Sequence, residues 1–375
     1  MKVIMLLGRS TGGIGTHVAS LSAELRGRGV DVIVVTDPLT ASRFDLEPVR
    51  LWWPGSAGWA SAVRDLRALR RLASTSDIVH AHGHQSALLA TVLTLGMGGR
   101  GRRPKVIVTQ HNAVLQGSGR QGLKRFAQRW VAHRADLVTA VSRDLVQEAL
   151  GFGARRAKLA GVPSPRVPDL LAQRLADGPT RARLRATLLS SLALDQENLA
   201  LPLVVTISRI AAQKNLLVLV EAASRVHHAC TWVVLGDGDP ALLAQLRRRV
   251  RALGAPVHFI GVRSDADQWM RGAEVFVLPS AWEGQPLAVQ EAMAAGTPVV
   301  ATDVGGLHDM VDGTGLLVSA TDPEAIATAT DSILADSGLR DELAARGRQV
   351  AAALPDGSDT ASRWLAWYTE TLLMT

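Results

Sequence analysis

The 375-residue sequence has little cysteine and only 4% aromatic residues. Its single cysteine, Cys230, excludes a framework of internal disulfide bonds and is typical of a reducing compartment. No run approaches the ~18 apolar residues of a membrane-spanning helix, and the apolar segment between Lys2 and Arg9 is too short for a signal-peptide core. With 47% hydrophobic and 20% charged residues, the chain is expected to be a cytoplasmic globular protein of two domains.

Charge is divided unevenly along the sequence. Residues 1–166 contain 24 Lys and Arg against 10 Asp and Glu; the whole chain has 41 and 34, which leaves 17 and 24 for the remainder. Two halves of opposite sign indicate two domains with different partners. A basic domain suits a phosphorylated substrate, an anionic membrane surface or nucleic acid. The general preference for arginine in proteins from a genome of high GC content would produce the same excess.

Short apolar runs alternate with helical patterns in both halves. Continuous β-branched runs between helices predict parallel sheets covered on both faces, and a proline-rich segment at 160–168 separates the halves. We therefore predict an α/β protein of two doubly wound Rossmann-like domains facing across a cleft, residues 1–165 and 166–358, with a C-terminal helix at 359–375 that can pack back on the first. The predicted strands are 2–7, 31–36, 77–82, 105–111 and 136–142, then 203–208, 231–236, 257–261, 274–279 and 297–302.

Glycines follow the first predicted strand in the segment GRSTGGIGTH. Gly12, Gly13 and Gly15 allow backbone amides to approach a ligand at a helix N-terminus, where negative charge is favoured. A dinucleotide site is an alternative, with Asp37 as its ribose ligand. The pattern G-x-G-x-x-G is incomplete, however, because Val18 stands where its third glycine would be.

Charged residues follow predicted strands in the second half. Arg209 and Lys214 come after its first strand, and two cations at such a position suit a diphosphate. Glu283 lies in a glycine-proline loop, and Glu291 lies in a helix that starts near Leu287 and directs its N-terminus toward the same place. Because its neighbours are small and apolar, the Glu291 carboxylate needs a polar partner, for which ribose hydroxyls are suited.

These segments together resemble a known family. GRSTGGIGTH, SRIAAQKN, GDGD and EGQPLAVQEAMAAGTPVVATDVGG are similar to segments of the retaining glycosyltransferases of family four, which have the GT-B fold. The resemblance covers essentially the whole chain and is strongest from about 203 to 320. It implies a nucleotide-diphosphate sugar, a UDP- or GDP-sugar, in the second domain and an acceptor in the first. One departure is AGVPSP at 160–165, where the family often has an asparagine-glycine turn.

The resemblance also implies roles for single residues. Glu283 lies beside the transferred sugar, Glu291 binds the ribose, and Val262 lies beside the base. Two cations match the diphosphate-binding pair, and a histidine matches one beside the reaction centre. The implied catalytic residues are Glu283, His82, Arg209 and Lys214. The implied donor-binding residues are Gly13, Arg209, Lys214, Gly236, Gly238, Val262, Glu283, Gly284, Pro286, Leu287 and Glu291.

The implied reaction is retaining, metal-independent transfer by front-face attack, without a cofactor. A same-fold nucleotide-sugar epimerase or phosphorylase and a non-catalytic nucleotide-sugar-binding regulator remain alternatives. A zinc site is another, because His80, His82 and His84 would share one face if their strand continued through Gly83. A packed or cleft-lining histidine is the other interpretation, with His111 as a further cleft candidate.

Two basic segments in the first half predict amphipathic helices. Residues 61–73 combine inward leucines with outward arginines, and residues 120–134 place Leu123, Phe126 and Trp130 on one face among five Lys and Arg. Such helices are typical of peripheral contact with anionic lipid at the inner membrane face, although solvated outer helices give the same pattern. We expect a sugar, lipid-linked or phosphate-bearing acceptor and no nucleic acid partner. The arginines of the first segment are Arg64, Arg67, Arg70 and Arg71, and the tryptophans before it are Trp52, Trp53 and Trp59.

Overall fold

A computed structural model describes residues 1–47, 49–51, 59–97, 103–113, 121–192 and 199–374, with the backbone alone at 49–51, 59–64 and 121. Trp52, Trp53 and the side chains of Trp59 and Arg64 lie outside the described residues. The chain forms two compact units. The first contains residues 1–163 and 355–375, and the second contains residues 164–354.

The first unit is built on a parallel sheet of seven strands in the order β3-β2-β1-β4-β5-β6-β7. Helices connect successive strands, as parallel pairing requires. Its elements are β1 (Lys2–Leu7), α1 (Gly13–Gly27), β2 (Asp31–Thr36), α2 (Pro38–Arg43), β3 (Val49–Leu51), α3 (Trp59–Ser74), β4 (Ile78–His82), α4 (His84–Leu93), β5 (Lys105–Gln110), α5 (Gln121–Arg134), β6 (Leu137–Ala140), α6 (Arg143–Gly151), β7 (Ala157–Leu159) and, after the second unit, α16 (Gly357–Leu373).

The core of the first unit is completed by the chain's last helix. α16 packs against α1 and buries Trp364 and Tyr368 among the apolar side chains of β1, β2 and α1. A side-chain capping box starts this helix, since Asp356 accepts from the Asp359 amide at 2.8 Å.

The second unit repeats the architecture with six parallel strands in the order β10-β9-β8-β11-β12-β13. Helices again connect the strands. Its elements are α7 (Val167–Ala172), α8 (Gly178–Ser190), β8 (Leu203–Ile207), a 3₁₀ turn (Ala212–Lys214), α9 (Leu216–Ala223), β9 (Thr231–Leu235), α10 (Pro240–Leu253), β10 (Val257–Gly261), α11 (Ala266–Gly272), β11 (Val275–Leu278), α12 (Leu287–Ala295), β12 (Val299–Thr302), α13 (Gly306–Val311), β13 (Leu316–Val318), α14 (Pro323–Ala335) and α15 (Ser337–Ala353).

Two doubly wound parallel sheets confirm the predicted fold class, and all ten predicted strands are present. Three strands were not predicted: β3, β7 and β13. Each is three residues long and lies at an edge of its sheet, where a strand is too short to give a clear apolar pattern. Among the helices within the described ranges, none combines the length and hydropathy that crossing a bilayer requires.

Candidate active site

The strand order of the second unit changes direction between β8 and β11. Ligands of open α/β sheets bind at such a switch point, beyond the carboxyl ends of the strands. Arg209 and Lys214 follow β8, and Glu283 follows β11. The sheet therefore brings residues that are far apart in sequence to one edge, as the sequence analysis expected.

Lys214 and Glu283 form an ion pair at this edge. The Glu283 carboxylate also accepts a hydrogen bond from the Ser280 hydroxyl at 2.5 Å and is only 6% exposed. Because a charge this buried needs continuous pairing, the two side chains hold each other in place. From the sequence, Arg209, Lys214 and the start of the helix near Leu287 were expected at one place, whereas neither the ion pair of Lys214 with Glu283 nor the Ser280 contact was predicted.

Backbone hydrogen bonds fix the loop that carries Glu283. The Ala281 amide donates to the Gln213 carbonyl oxygen, and the Gln213 side-chain amide donates to the Trp282 carbonyl oxygen, both at 2.8 Å. The Gly306 amide donates to the carbonyl oxygen of Glu283 itself at 2.9 Å. The loops after β8, β11 and β12 are thus joined, which gives the Glu283 carboxylate a defined position.

Gly236 and Gly238 bring their backbone close to the loop after β8. A Cβ atom would collide with the Ser208 carbonyl at Gly236 and with the Ile210 carbonyl at Gly238. These glycines therefore allow contact between two protein loops, and this contact holds the segment that contains Arg209. From the sequence, Gly236 and Gly238 were expected to contact the nucleotide, and their contact with the loop after β8 was not predicted.

Glu291 lies in the second turn of α12, which begins at Leu287 as predicted. Its carboxylate accepts a hydrogen bond from the buried Ser164 hydroxyl at 2.6 Å, and the Ser164 amide donates to the Gln290 side chain at 2.9 Å. Burial raises the pKa of Glu291, while the Ser164 bond and Arg166 oppose that rise. Ser164 comes from AGVPSP, the segment that departs from the family pattern, and sequence reasoning did not identify this contact.

The other expected donor contacts of the second unit differ in exposure. Gly284 is buried, Pro286 and Leu287 are half-buried, and Arg209 and Val262 are exposed. Pro286 is the residue immediately before the first turn of α12, and the N-terminus of a helix favours an anion. The carboxyl edge therefore presents exposed and half-buried groups around the Lys214–Glu283 pair.

In the first unit, His82 is the last residue of β4 and is 2% exposed. Its Nδ1 lies 3.1 Å from Nε2 of His111, and its Nε2 is buried without a hydrogen-bond partner among the described residues. The His17 ring lies 5.7 Å away, measured between ring centroids. Gly13 begins α1 at the same edge of the sheet and is exposed.

The neighbouring histidines of β4 have different environments. The ring nitrogens of His80 lie 2.7 Å from the Tyr368 hydroxyl and 2.7 Å from the Thr109 hydroxyl, so this side chain is a packed core residue. The strand ends at Gly83, and His84 lies in α4 with its Nε2 2.9 Å from the Asn112 carbonyl oxygen. The three histidines therefore do not share one strand face, and within the described residues no metal-binding group of side chains was found.

The buried histidines predict acid sensitivity. Burial lowers the pKa of His17 to about 4 and lowers the pKa values of His80, His82 and His111 well below their usual range. Below pH ~6.5 the unfolded chain takes up protons that the folded chain does not, so the free energy of unfolding should fall by up to about 1.4 kcal/mol per pH unit for each histidine. Chemical denaturation between pH 7 and pH 5 measures this slope.

The variant His17→Gln should have a shallower slope, because one of these groups no longer titrates. A wild-type stability that stays constant down to pH 5 would contradict the buried neutral state of the histidines.

Family models match both units of the chain. The glycosyl transferase 4-like domain matches residues 12–165, and the glycosyl transferases group 1 model matches residues 201–336. Together with the two doubly wound sheets, these matches show that the chain belongs to the family-four type of glycosyltransferases, which have the GT-B fold.

Three individual proteins to which the chain is similar, one of them a solved structure, share about a third of its residues or fewer over the aligned parts. The chain is 34% identical to the D-inositol 3-phosphate glycosyltransferase of Xylanimonas cellulosilytica over 50% of this chain and 44% of that protein, so it spans less than half the length of that relative. It is 28% identical to the 2-deoxystreptamine N-acetyl-D-glucosaminyltransferase of Streptomyces fradiae, over 96% of this chain and 91% of that protein. Among solved structures, Anabaena Alr3699/HepE in complex with UDP-glucose superposes with a TM-score of 0.83 at 19% identity, covering 99% of this chain and 100% of that one. At this identity, the similarity to HepE is a similarity of fold alone.

Proposed function

We propose that this chain transfers a hexosyl group from a nucleotide-diphosphate sugar to a hydroxyl of an acceptor, with retention of configuration and without a metal ion or cofactor. The observation that carries the proposal is the Lys214–Glu283 pair at the switch point of the second unit, beside the start of α12. The second unit binds the donor and the first unit binds the acceptor.

The charges at this edge suit the departing diphosphate. In the reaction the bond between the anomeric carbon and the diphosphate oxygen breaks, and negative charge develops on the phosphate. Lys214, Arg209 and the N-terminus of α12 stabilise that charge. The acceptor oxygen attacks from the same face, and its proton passes to the leaving phosphate oxygen, which gives retention.

Carboxylates and a histidine orient the substrates in this proposal. Glu283 accepts hydrogen bonds from the sugar hydroxyls, and Glu291 accepts from the ribose hydroxyls. His82 forms a hydrogen bond with the sugar or the acceptor through its Nε2, which has no hydrogen-bond partner among the described residues. Each of these groups is held by a neighbour, Ser280 for Glu283, Ser164 for Glu291 and His111 for His82, and such support keeps a site in its reactive geometry.

For the donor we propose a UDP- or GDP-sugar, and UDP-glucose is the first to test because a neighbour in fold is solved with it. For the acceptor we propose a phosphate-bearing or lipid-linked hydroxyl compound at a membrane surface. The basic first unit and a relative named for D-inositol 3-phosphate support this choice.

A donor panel tests the proposal. Thermal unfolding with UDP-glucose, UDP-GlcNAc and GDP-mannose should show stabilisation by one of them, and labelled sugar should then appear in an acceptor without loss in EDTA. Isomerised donor without transfer would instead identify an epimerase, and binding without any turnover a regulator. Activity that EDTA abolishes and Mg²⁺ or Zn²⁺ restores would contradict metal independence.

Replacing Glu291 by glutamine should lower the affinity for the donor without lowering the free energy of unfolding. Loss of a charged hydrogen bond to ribose corresponds to about 1.5–3 kcal/mol, so donor affinity should fall about 10- to 100-fold. The raised pKa means that ionised Glu291 costs stability above that pKa; Glu291→Gln removes this cost and should leave the free energy of unfolding at pH 8 unchanged or higher. Calorimetric titration and denaturation measure the two effects.

Glu342→Gln is the matched control, since Glu342 is 53% exposed on α15. It should change neither quantity appreciably. Normal donor affinity in Glu291→Gln would remove Glu291 from the ribose site.

A further inference from the structure

Helix α5 of the first unit exposes large apolar side chains. Leu123 and Phe126 are each 65% exposed, and Trp130 is also exposed. Residues at these spacings lie on one face of a helix. The opposite face buries Val131 and Ala132 in the core of the unit. The start of the helix, residues 122–126, is exposed at every position, whereas its last turns are packed in the core of the unit.

The adjacent helix extends the exposed apolar surface. α4 packs against α5 and exposes Leu88 and Val92, which are one helical turn apart. Scattered exposed apolar side chains are ordinary, whereas several on neighbouring helices mark an interaction surface. We call the exposed side chains of these two helices the α4–α5 face.

The charges of the α4–α5 face have one sign. Lys124, Arg125 and Arg129 are exposed beside the apolar stripe, and the Arg134 guanidinium lies 5.5 Å from the centroid of the Trp130 ring. Neither α4 nor α5 contains Asp or Glu. Apolar side chains bordered by basic ones match the boundary between acyl chains and anionic headgroups. A second copy of the chain fits poorly, because its basic residues would oppose these.

The described side chains of helix α3, residues 65–74, lack this combination. Arg67, Arg70 and Arg71 are exposed, but Leu69 is buried in the core and Leu66 is half-buried. Arg67, Arg70 and Arg71 thus lie on a part of α3, residues 65–74, whose described apolar side chains form no exposed stripe. Of the side chains described in the two segments that the sequence suggested for membrane contact, those of α5 alone combine exposed apolar and exposed basic groups.

We infer that the α4–α5 face docks on an anionic lipid bilayer, with Leu123 and Phe126 among the headgroups and Lys124, Arg125 and Arg129 on lipid phosphates. Both helices follow strands whose carboxyl ends carry His82 and His111, so their N-terminal ends lie at the edge of the sheet proposed to meet the acceptor. The inference rests on the proposed function only in linking this surface to a lipid-linked acceptor.

Vesicle co-sedimentation tests the docking. The full chain should sediment with vesicles of equimolar phosphatidylcholine and phosphatidylglycerol, less so with added salt, and far less with pure phosphatidylcholine. The double variant Leu123→Ser with Phe126→Ser, called the α5 variant below, should lower the partition coefficient for vesicles about tenfold or more. Because both side chains are exposed, folding should be preserved, which circular dichroism verifies.

Two matched controls define the surface. Leu39→Ser removes a leucine of α2 that is likewise 65% exposed, and Arg67→Glu with Arg71→Glu removes exposed charge from α3. The leucine control should bind like the wild type, and the α3 variant should lose far less than the α5 variant. Undiminished binding of the α5 variant, or an equal loss in Leu39→Ser, would overturn the inference. So would concentration-dependent dimerisation that the α5 variant abolishes, because it would identify a second copy as the partner.

Donor binding separates this inference from the proposed function. Thermal stabilisation by UDP-glucose, UDP-GlcNAc or GDP-mannose without vesicles should be the same in the wild type and the α5 variant. A chain that binds vesicles but none of these donors would contradict the proposed function and leave the docking intact. A chain that transfers sugar but never binds anionic vesicles would do the reverse.

Discussion

Replacing Lys214 by alanine is expected to lower turnover by about two to three orders of magnitude, the scale for removing one preorganised charged donor. The ammonium group is paired with the buried Glu283 carboxylate, so it already occupies a fixed position before charge develops on the departing phosphate. The variant also leaves Glu283 with Ser280 as its remaining partner, which should reduce the free energy of unfolding. Steady-state transfer and chemical denaturation measure the two losses.

Lys158→Ala is the matched control for this experiment. Lys158 also pairs with a glutamate, Glu370, but lies in the first unit on β7. Its replacement should leave turnover within about twofold, since partly exposed ion pairs contribute little. Near-normal turnover in Lys214→Ala would remove this residue from the reaction.

Replacing Glu283 by alanine is expected to lower turnover by about a hundredfold or more, while nucleotide affinity stays close to that of the wild type. The carboxylate holds Lys214 and is proposed to hold the sugar, and loss of correct placement at a reacting centre has costs of this size. Its proposed contacts are to the sugar rather than to the nucleoside, so UDP or GDP titration should change little. Transfer kinetics and calorimetry distinguish the two.

Glu283→Gln refines the test. Glutamine keeps an acceptor for the Ser280 hydroxyl but removes the charge that pairs with Lys214. If the two residues act as a unit, the double variant Lys214→Ala with Glu283→Gln should lose much less than the sum of the single losses in activation free energy. Additive losses, or a Glu283→Ala variant that no longer binds nucleotide, would contradict the assigned role.

The sequence by itself determined the architecture. Continuous apolar runs such as 2–7 and 203–208, with helical patterns between them, predict a parallel sheet covered on both faces. The helices follow from their apolar spacing. The start of α12 at Leu287 and the end of β4 at Gly83 were also predictable, because a proline and a glycine mark those boundaries.

Local signals also selected most of the candidate residues, but not their partners. A charged residue after a strand is recognisable in sequence, as Lys214 and Glu283 are. The Ser164 hydroxyl that holds Glu291 is 127 positions away from it, and no local pattern indicates such a contact. For the glycines of GDGD the sequence indicated that glycine is needed but not why. The reason is a close contact with a second loop, the one after β8.

Only the tertiary structure decided the states of the ionisable groups. His80 and His82 are two residues apart on one strand, yet one is satisfied by Tyr368 and Thr109 and the other keeps a buried Nε2 without a partner among the described residues. Likewise α5 and residues 65–74 of α3 have similar basic sequences, and only packing shows that α5 exposes large apolar side chains whereas that part of α3 buries or half-buries its leucines. The physical reason is the same in both cases. A periodic pattern depends on residues that are close in sequence, whereas burial and hydrogen bonding depend on segments that are distant in sequence and come together on folding.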